Sequence, residues 1–538
     1  MTSTSTSAHR DGYVPFPAAA AAEYRSAGYW AGRAIGDLLT DAARRAPAAP
    51  AVLTDAGPWS YADLDAAADR MAHGLLALGI APGDRVVVQL PNVPEFATVL
   101  FGLLRAGIIP VLTLPAHRRA EIEHLANLAE AVAYVIADEL GDFDYRALAA
   151  EVRPAVPTLR HVLVLGSPGE FTALSAVPRE PSGELPAVDP SDIALMLVSG
   201  GTTGLPKLIA RTHEDYAYNA AASAGITRLT ADDVYLATLP AAHNFPLACP
   251  GILGAVTVGA AFTFLTDPSP ESAFAVIERH RVTVTALVPP LAQLWTAAVE
   301  WEEADLSSLR LLQVGGARLA DVNAREVTPA LGCTLQQVFG MAEGLINYTR
   351  LDDSSELICT TQGRPMSPAD ELRVVDENGV DVEPGSEGEL LTRGPYTING
   401  YYRAPEHNAR AFTPDGFYRS GDLVRRLPSG HLIVSGRIKD VINRGGENVS
   451  CDELEEHLLA YPGVRHAAAV GLADAVLGEK VGVVLVVSGA MPSLTEIKTF
   501  LTGRGLATYK LPDVLRQAET LPVTAVGKID KKVLREQG

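Results

Sequence analysis

The stretch Leu197-Val-Ser-Gly-Gly-Thr-Thr-Gly-Leu-Pro-Lys207 has the residue types to hold an anion. Gly200, Gly201 and Gly204 let a backbone approach a ligand closely, and successive N–H groups in such a turn form an anion-binding concavity. Ser199, Thr202 and Thr203 add hydroxyl donors, and Lys207 adds a cation. The natural guest is a polyphosphate. The spacing differs from the G-x-x-x-x-G-K-S/T loop of the ordinary nucleotide hydrolases. A glycine-rich turn behind a strand is by composition an ordinary turn; the density of small, polar and cationic residues here favours a ligand.

Such a loop needs a scaffold, and the chain is long enough for one. At 538 residues it exceeds a single hydrophobic core, so two or more domains are expected. Hydrophobic residues make up 47% and charged residues 20%, as in an ordinary globular protein. The net charge of −20 argues against nucleic acid as a partner. It also means that an anionic substrate needs local positive charge or magnesium. Cys249, Cys333, Cys359 and Cys451 are far apart and lack metal-ligand spacing, which makes a reducing cytoplasm the expected location. No apolar signal core opens the chain. Residues 234–266 carry no Asp, Glu, Lys or Arg, yet Pro240, Pro246 and Pro250 break any membrane-spanning helix there. That segment is expected to be buried interior holding a polar site, with no membrane partner.

The elements alternate. Residues 1–30 are expected to be irregular, an aromatic strap on the first domain. Apolar positions at Leu64, Met71, Leu75 and Leu78 predict a helix from Tyr61. Strands are expected over 85–90, 108–114, 131–137 and 161–165, with a helix from Pro94 to Leu104. After the glycine-rich loop, short apolar runs at 234–239, 282–288, 311–314 and 334–339 end in turn or site residues. Alternation of this kind implies α/β architecture with parallel, helix-covered sheets, whose ligands gather beyond the carboxyl ends of the strands. Composition shifts over 430–444. Beyond it, a helix at 452–459, strands at 464–470 and 481–487, and a capping box at Ser493 and Glu496 predict a small α+β domain.

Several motifs then converge. Ser199-Gly-Gly-Thr-Thr-Gly-Leu-Pro-Lys207 resembles the phosphate loop of the adenylate-forming superfamily. Tyr418-Arg-Ser-Gly-Asp422, Gly436-Arg-Ile-Lys-Asp-Val-Ile442 and Leu521-Pro-Val-Thr-Ala-Val-Gly-Lys528 resemble its later motifs, in order. Ala242-His-Asn-Phe-Pro246 and 336–348 are similar to the stand-alone aryl-acid adenylating enzymes of siderophore pathways. The resemblance implies a large N-terminal adenylation core over 1–438, including a distorted barrel subdomain, and a mobile C-terminal domain over 439–538. It implies ATP and Mg2+ as cofactors, and a reaction in two steps. An aryl carboxylate attacks the α-phosphorus of ATP; a phosphopantetheine thiol on an aryl carrier protein then displaces AMP. With ten residues following Lys528, that carrier is expected on a separate polypeptide.

Residue by residue, the resemblance makes Lys528, His243 and Glu343 catalytic, Lys528 bridging the carboxylate and α-phosphate. Glu343 is the magnesium carboxylate. Asp422 and Arg437 hold the ribose, and Gly315, Gly316 and Ala317, with Val338, form the adenine shelf. Lys439 is the hinge between domains, and Gly445 and Gly446 face the pantetheine tunnel. The aryl pocket draws on Asn244, Phe245, Cys249, Gly315, Gly340 and Ile346. Enzymes of this group that take 2,3-dihydroxybenzoate typically have a serine where Cys249 stands, often a tyrosine for Phe245, and a valine for Ile346. A thiol is a weaker donor than a hydroxyl, so a 3-hydroxyl is poorly satisfied here. Salicylate is therefore the first choice. The alternatives are 2,3-dihydroxybenzoate, 6-methylsalicylate, 3-hydroxypicolinate, free coenzyme A as acceptor, a luciferase-like oxygenase, or an inactive sensor or scaffold. Such an inactive homologue would have lost Lys528, Glu343 or Asp422, and all three are present.

Overall fold

A computed structural model describes residues 11–199, 206–444, 447–474, 477–504, 506, 508–524 and 527–537. Valine-rich Arg85–Gln89 is buried on both faces, as a strand covered by helices must be. It lies at the centre of a seven-stranded sheet whose order is Leu208–Thr212, Ile193–Val198, Ile109–Leu112, Arg85–Gln89, Ala133–Ala137, His161–Leu165 and Thr172–Ala173. All its pairs are parallel except the first, where Leu208–Thr212 folds back on Ile193–Val198 across the glycine-rich loop. A second, nine-stranded sheet carries Leu311–Gly315 between Thr334–Gly340 and Val284–Leu287, with Val234–Ala237 beyond them. Both sheets contribute to one hydrophobic core.

Helix Tyr61–Ala77 starts where Ser60 and Asp63 exchange capping hydrogen bonds, and it buries Tyr61, Leu64, Ala68, Met71 and Leu75. It packs on Pro94–Arg105, where proline occupies the first turn. A Cβ at Gly102 would sit 2.6 Å from Met71 Cγ, so this helix contact needs glycine.

One expectation is corrected. The strap contains a regular helix, Ala18–Ser26, docked by Phe16, Tyr24 and Trp30 and by a bidentate Arg25–Glu214 pair. Alanine repeats give that helix almost no amphipathic pattern, so tertiary contacts decide it. The α/β alternation stops after Ile346–Tyr348. Glu371–Val375, Glu387–Arg393, Tyr418–Arg426 and Leu432–Arg437 form a four-stranded antiparallel sheet.

The small C-terminal part pairs Glu447–Ser450, Val441–Arg444, Gly478–Val487 and Val464–Asp474, with Val514–Gln517 beside Gly478–Val487. Helices Cys451–Leu459 and Leu494–Gly503 cover it around a separate core. The result is a mixed α/β protein with a large N-terminal and a small C-terminal domain. The uncharged segment 234–266 is two strands and two short helices, largely buried. Among the described residues, no helix is long and apolar enough to cross a membrane.

Candidate active site

The two ends of the glycine-rich loop are tied together. Ser199 N–H donates to the Lys207 carbonyl at 2.9 Å, and Lys207 N–H donates to Ser199 Oγ at 3.0 Å. Gly200, Gly201, Thr202, Thr203 and Gly204 lie outside the described residues. Lys207 Nζ stands 5.7 Å from the centroid of the Tyr401 ring. The hydroxyl of Tyr401 donates to Glu343 Oε1 at 2.7 Å. Glu343 is 9% exposed and sits in a turn whose backbone is anchored twice. Ile398 N–H donates to the Glu343 carbonyl at 2.8 Å, and the fully buried Arg211 donates to the Ala342 carbonyl at 2.9 Å. At Gly344 a Cβ would lie 2.5 Å from Thr397 Cα, so the turn closes against 397 only with glycine there.

Opposite this, Asp422 and Arg437 face each other across the antiparallel ladder, and Arg437 Nε donates to Asp422 Oδ1 at 2.8 Å. Burial pushes the Asp422 carboxyl up, and the charges of Arg437 and Lys528 pull it back. Lys528 arrives on a hairpin closed by the Val523–Ile529 bridge and by Thr524 N–H donating to the Lys528 carbonyl at 2.6 Å. Its side chain crosses Gly316, where a Cβ would lie 3.2 Å from Lys528 Cε, while a Cβ at Gly527 would lie 3.0 Å from Val288 Cγ2. Gly316 has φ +83, which glycine adopts freely. The Lys528 charge acts on both Asp422 and His243. Ala317 lies exposed just beyond.

The third wall is apolar and centres on Phe245, Cys249, Val338, Ile346, Tyr348 and Tyr396. A Cβ at Gly315 would lie 2.6 Å from the Val338 carbonyl and 3.0 Å from the Phe245 ring, so a side chain there would close the pocket. Gly340 pairs with Ile346, where a Cβ would lie 3.1 Å from Ile346 Cγ1. His243 caps the short helix Asn244–Ala248, its Nδ1 accepting from Phe245 N–H at 3.2 Å, which assigns the ring proton to Nε2. The Asn244 side chain is oriented by Tyr216, whose hydroxyl donates to Oδ1 at 2.8 Å, leaving Nδ2 with the Cys249 sulfur at 3.5 Å. Burial raises the Cys249 thiol to about 12, so it is no thiolate.

Burial, with Lys528 adding to it, pushes His243 down to about 3, and burial pushes His213 down to about 4. Both rings stay neutral when folded and titrate near 6.5 when unfolded. Below 6.5 the unfolded chain binds more protons, so this stability is full above 6.5 and is lost as the pH falls. The thermal midpoint is expected to drop between about pH 7.5 and pH 5, and to drop less in His213→Asn, where one of the two linked groups is gone.

The order of these parts along the chain has clear counterparts. Two family models match it: AMP-binding enzyme over residues 39–402, and AMP-binding enzyme C-terminal domain over residues 453–528. The chain belongs to the AMP-binding enzyme family. It is 56% identical over 534 residues to a salicyl-AMP ligase / salicyl-S-ArCP synthetase of Mycobacterium tuberculosis, covering 98% of this chain and 94% of that one. It is 52% identical over 525 residues to a 2,3-dihydroxybenzoate-AMP ligase of Bacillus subtilis, covering 98% and 97%. The apo structure of Mycobacterium smegmatis MbtA superposes with a TM-score of 0.77 at 57% identity, covering 98% and 99%.

In this AMP-binding enzyme, Asp422 pairs with Arg437, Lys528 lies against Gly316, and Phe245, Cys249, Val338 and Ile346 pack in one apolar cluster, with Asn244 bonded to Cys249 and Gly315 and Gly340 closely packed against Phe245, Val338 and Ile346. Gly445 and Gly446 lie outside the described residues; Lys439 lies in the 3-10 turn Ile438–Asp440. Sequence reasoning missed Tyr216, Tyr396 and Tyr401 and gave Tyr418 no role of its own. Tyr396 accepts from Ile346 N–H and donates to the buried Asp370. The adjacent Gly400-Tyr-Tyr-Arg403 run was the one available signal for Tyr401.

Proposed function

We propose that this AMP-binding enzyme uses ATP to convert a 2-hydroxyaryl carboxylic acid, salicylate foremost, into aryl-AMP and pyrophosphate. It then passes the aryl group to the phosphopantetheine thiol of a carrier protein. The observation that carries the proposal is the approach of Lys528 to Gly316, with its charge felt by both Asp422 and His243. A carboxylic acid is ionised at neutral pH, so the first step needs no base. It needs the carboxylate oxygen in line with the α-phosphorus and cover for the charge that builds there. Lys528 supplies that cover and Asp422 with Arg437 fixes the ribose. Neutral His243 walls the pocket without adding a second cation.

Among the described residues, no three His, Cys, Asp or Glu side chains could hold a metal by themselves. A lone buried carboxylate, Glu343, suits a magnesium ion that arrives on phosphate oxygens, because magnesium keeps oxygen ligands and few protein ones. When bound, magnesium would offset phosphate charge. After adenylation the C-terminal domain, 439–538, turns about Lys439 and withdraws Lys528, admitting the thiol.

The choice of salicylate rests on the pocket. Asn244 Nδ2 has a weak sulfur acceptor, and a 2-hydroxyl oxygen is a better one. Cys249 lies beside Phe245, Ile346 and Tyr348, and its thiol is a weaker partner for a 3-hydroxyl than a serine hydroxyl would be. ATP–pyrophosphate exchange with salicylate, 2,3-dihydroxybenzoate, 6-methylsalicylate, 3-hydroxypicolinate and benzoate tests this. Salicylate is expected to lead 2,3-dihydroxybenzoate by about 5-fold or more in kcat/KM, the lower bound for an unpaired buried hydroxyl. A clear lead for 2,3-dihydroxybenzoate would overturn the choice.

A further inference from the structure

Tyr401 is buried at 4% exposure and contacts both Glu343 and Lys207. Its ring lies under the Lys207 ammonium, and the His407 ring packs on it at 5.0 Å and 66°. Its hydroxyl contacts Glu343 Oε1 at 2.7 Å and the Tyr418 hydroxyl at 2.9 Å. The backbone is held as firmly. Asn408 Oδ1 accepts from Tyr401 N–H at 2.8 Å, and Asn408 Nδ2 donates to the Tyr401 carbonyl at 2.9 Å.

The direction of the hydroxyl bonds follows from chemistry. An ionised carboxylate only accepts, so the one Tyr401 proton goes to Glu343. Tyr401 oxygen must then accept from Tyr418. The relay runs from Tyr418 through Tyr401 to Glu343, and it starts on the strand Tyr418–Arg426 that also carries Asp422.

We propose that Tyr401 is a positioning residue that joins Glu343 and Lys207 into one phosphate-handling unit. Its hydroxyl orients the Glu343 carboxylate towards the metal on the nucleotide, and its ring seats the Lys207 ammonium by a cation–π contact. Tyr418 completes the relay and ties the unit to the ribose-binding strand. The proposal rests on Glu343 as the magnesium carboxylate, and the test separates the two.

The variants are Tyr401→Phe, Tyr401→Leu, Tyr418→Phe and Glu343→Gln, in the full-length enzyme. The readouts are the Mg2+ concentration for half-maximal pyrophosphate exchange and, independent of turnover, Mn2+ affinity by electron paramagnetic resonance with a non-hydrolysable ATP analogue. Loss of an outer-shell partner typically costs about 10-fold or more in metal affinity, and Tyr401→Phe is expected to weaken both readouts by that amount. Binding of a non-hydrolysable aryl-AMP mimic, which lacks the departing phosphates, should stay near wild type and so report an intact fold. Tyr401→Leu, which also loses the aromatic face, should raise the KM for ATP at saturating Mg2+ beyond that of Tyr401→Phe. If Tyr401→Phe fails to fold, Tyr418→Phe carries the test, with a smaller shift of the same sign expected. Wild-type metal dependence in Tyr401→Phe or in a test resting on Tyr418→Phe, beside a shifted Glu343→Gln, overturns the role of Tyr401 alone. Wild-type behaviour in Glu343→Gln as well overturns the metal role of Glu343, and the proposal with it.

Discussion

ATP–pyrophosphate exchange by Lys528→Ala is expected to fall by about 100- to 1000-fold, the usual cost of removing one preorganised group from developing charge. Transfer of the aryl group from preformed aryl-AMP to the carrier thiol should stay within a few-fold of wild type, because in that step the thiol attacks the acyl carbon and AMP leaves with its bonds at phosphorus intact. The geometry makes the split sharp. Lys528 reaches the cleft on a hairpin of the C-terminal part, across Gly316, and acts electrostatically on Asp422 and His243. Truncation removes the charge without touching the Asp422–Arg437 pair or Asn244. Measuring the two half-reactions separately checks it; equal losses in both would remove Lys528 from its place at the α-phosphorus.

Cys249→Ser should move substrate preference towards 2,3-dihydroxybenzoate. The thiol is buried and protonated, 3.5 Å from Asn244 Nδ2, and its S–H is directed at the Asn244 carbonyl at 3.5 Å. A hydroxyl in its place is a stronger donor and acceptor. Satisfying one otherwise unpaired buried hydroxyl is worth about 1–3 kcal/mol, so the ratio of kcat/KM for 2,3-dihydroxybenzoate over salicylate should rise about 5- to 150-fold. Competition between the two acids in one exchange assay measures that ratio directly. A ratio that does not move would mean that Phe245 and Ile346, and not position 249, set the preference.

Local patterning determined much of this protein by itself. The helix at Tyr61–Ala77 and the cap at Ser493 and Glu496 are legible because side chain and backbone bonds close within a turn. Strands such as Arg85–Gln89, His161–Leu165 and Ile193–Val198 are legible because both faces must be apolar under helices. Resemblance to the motifs of the adenylate-forming superfamily singled out Lys528, Asp422, Glu343 and Asn244, and the first three also sit beside a glycine, Gly527, Gly421 and Gly344. The helix Ala18–Ser26 was not legible: its alanines carry no periodic signal, and it is docked by Arg25 pairing with Glu214, 189 residues away.

Tertiary structure alone decided the rest. The strands from 371 to 437 mix charged and apolar residues on a half-exposed antiparallel sheet, and only their pairing brings Asp422 opposite Arg437. The bond from Tyr401 to Glu343 spans 58 residues, and the orientation of Asn244 by Tyr216 spans 28. Which side chains can do chemistry was written in residue type and spacing. Which way each one faces, and whether Lys528 reaches the phosphorus at all, depends on contacts between segments far apart in sequence, where no local period carries the information.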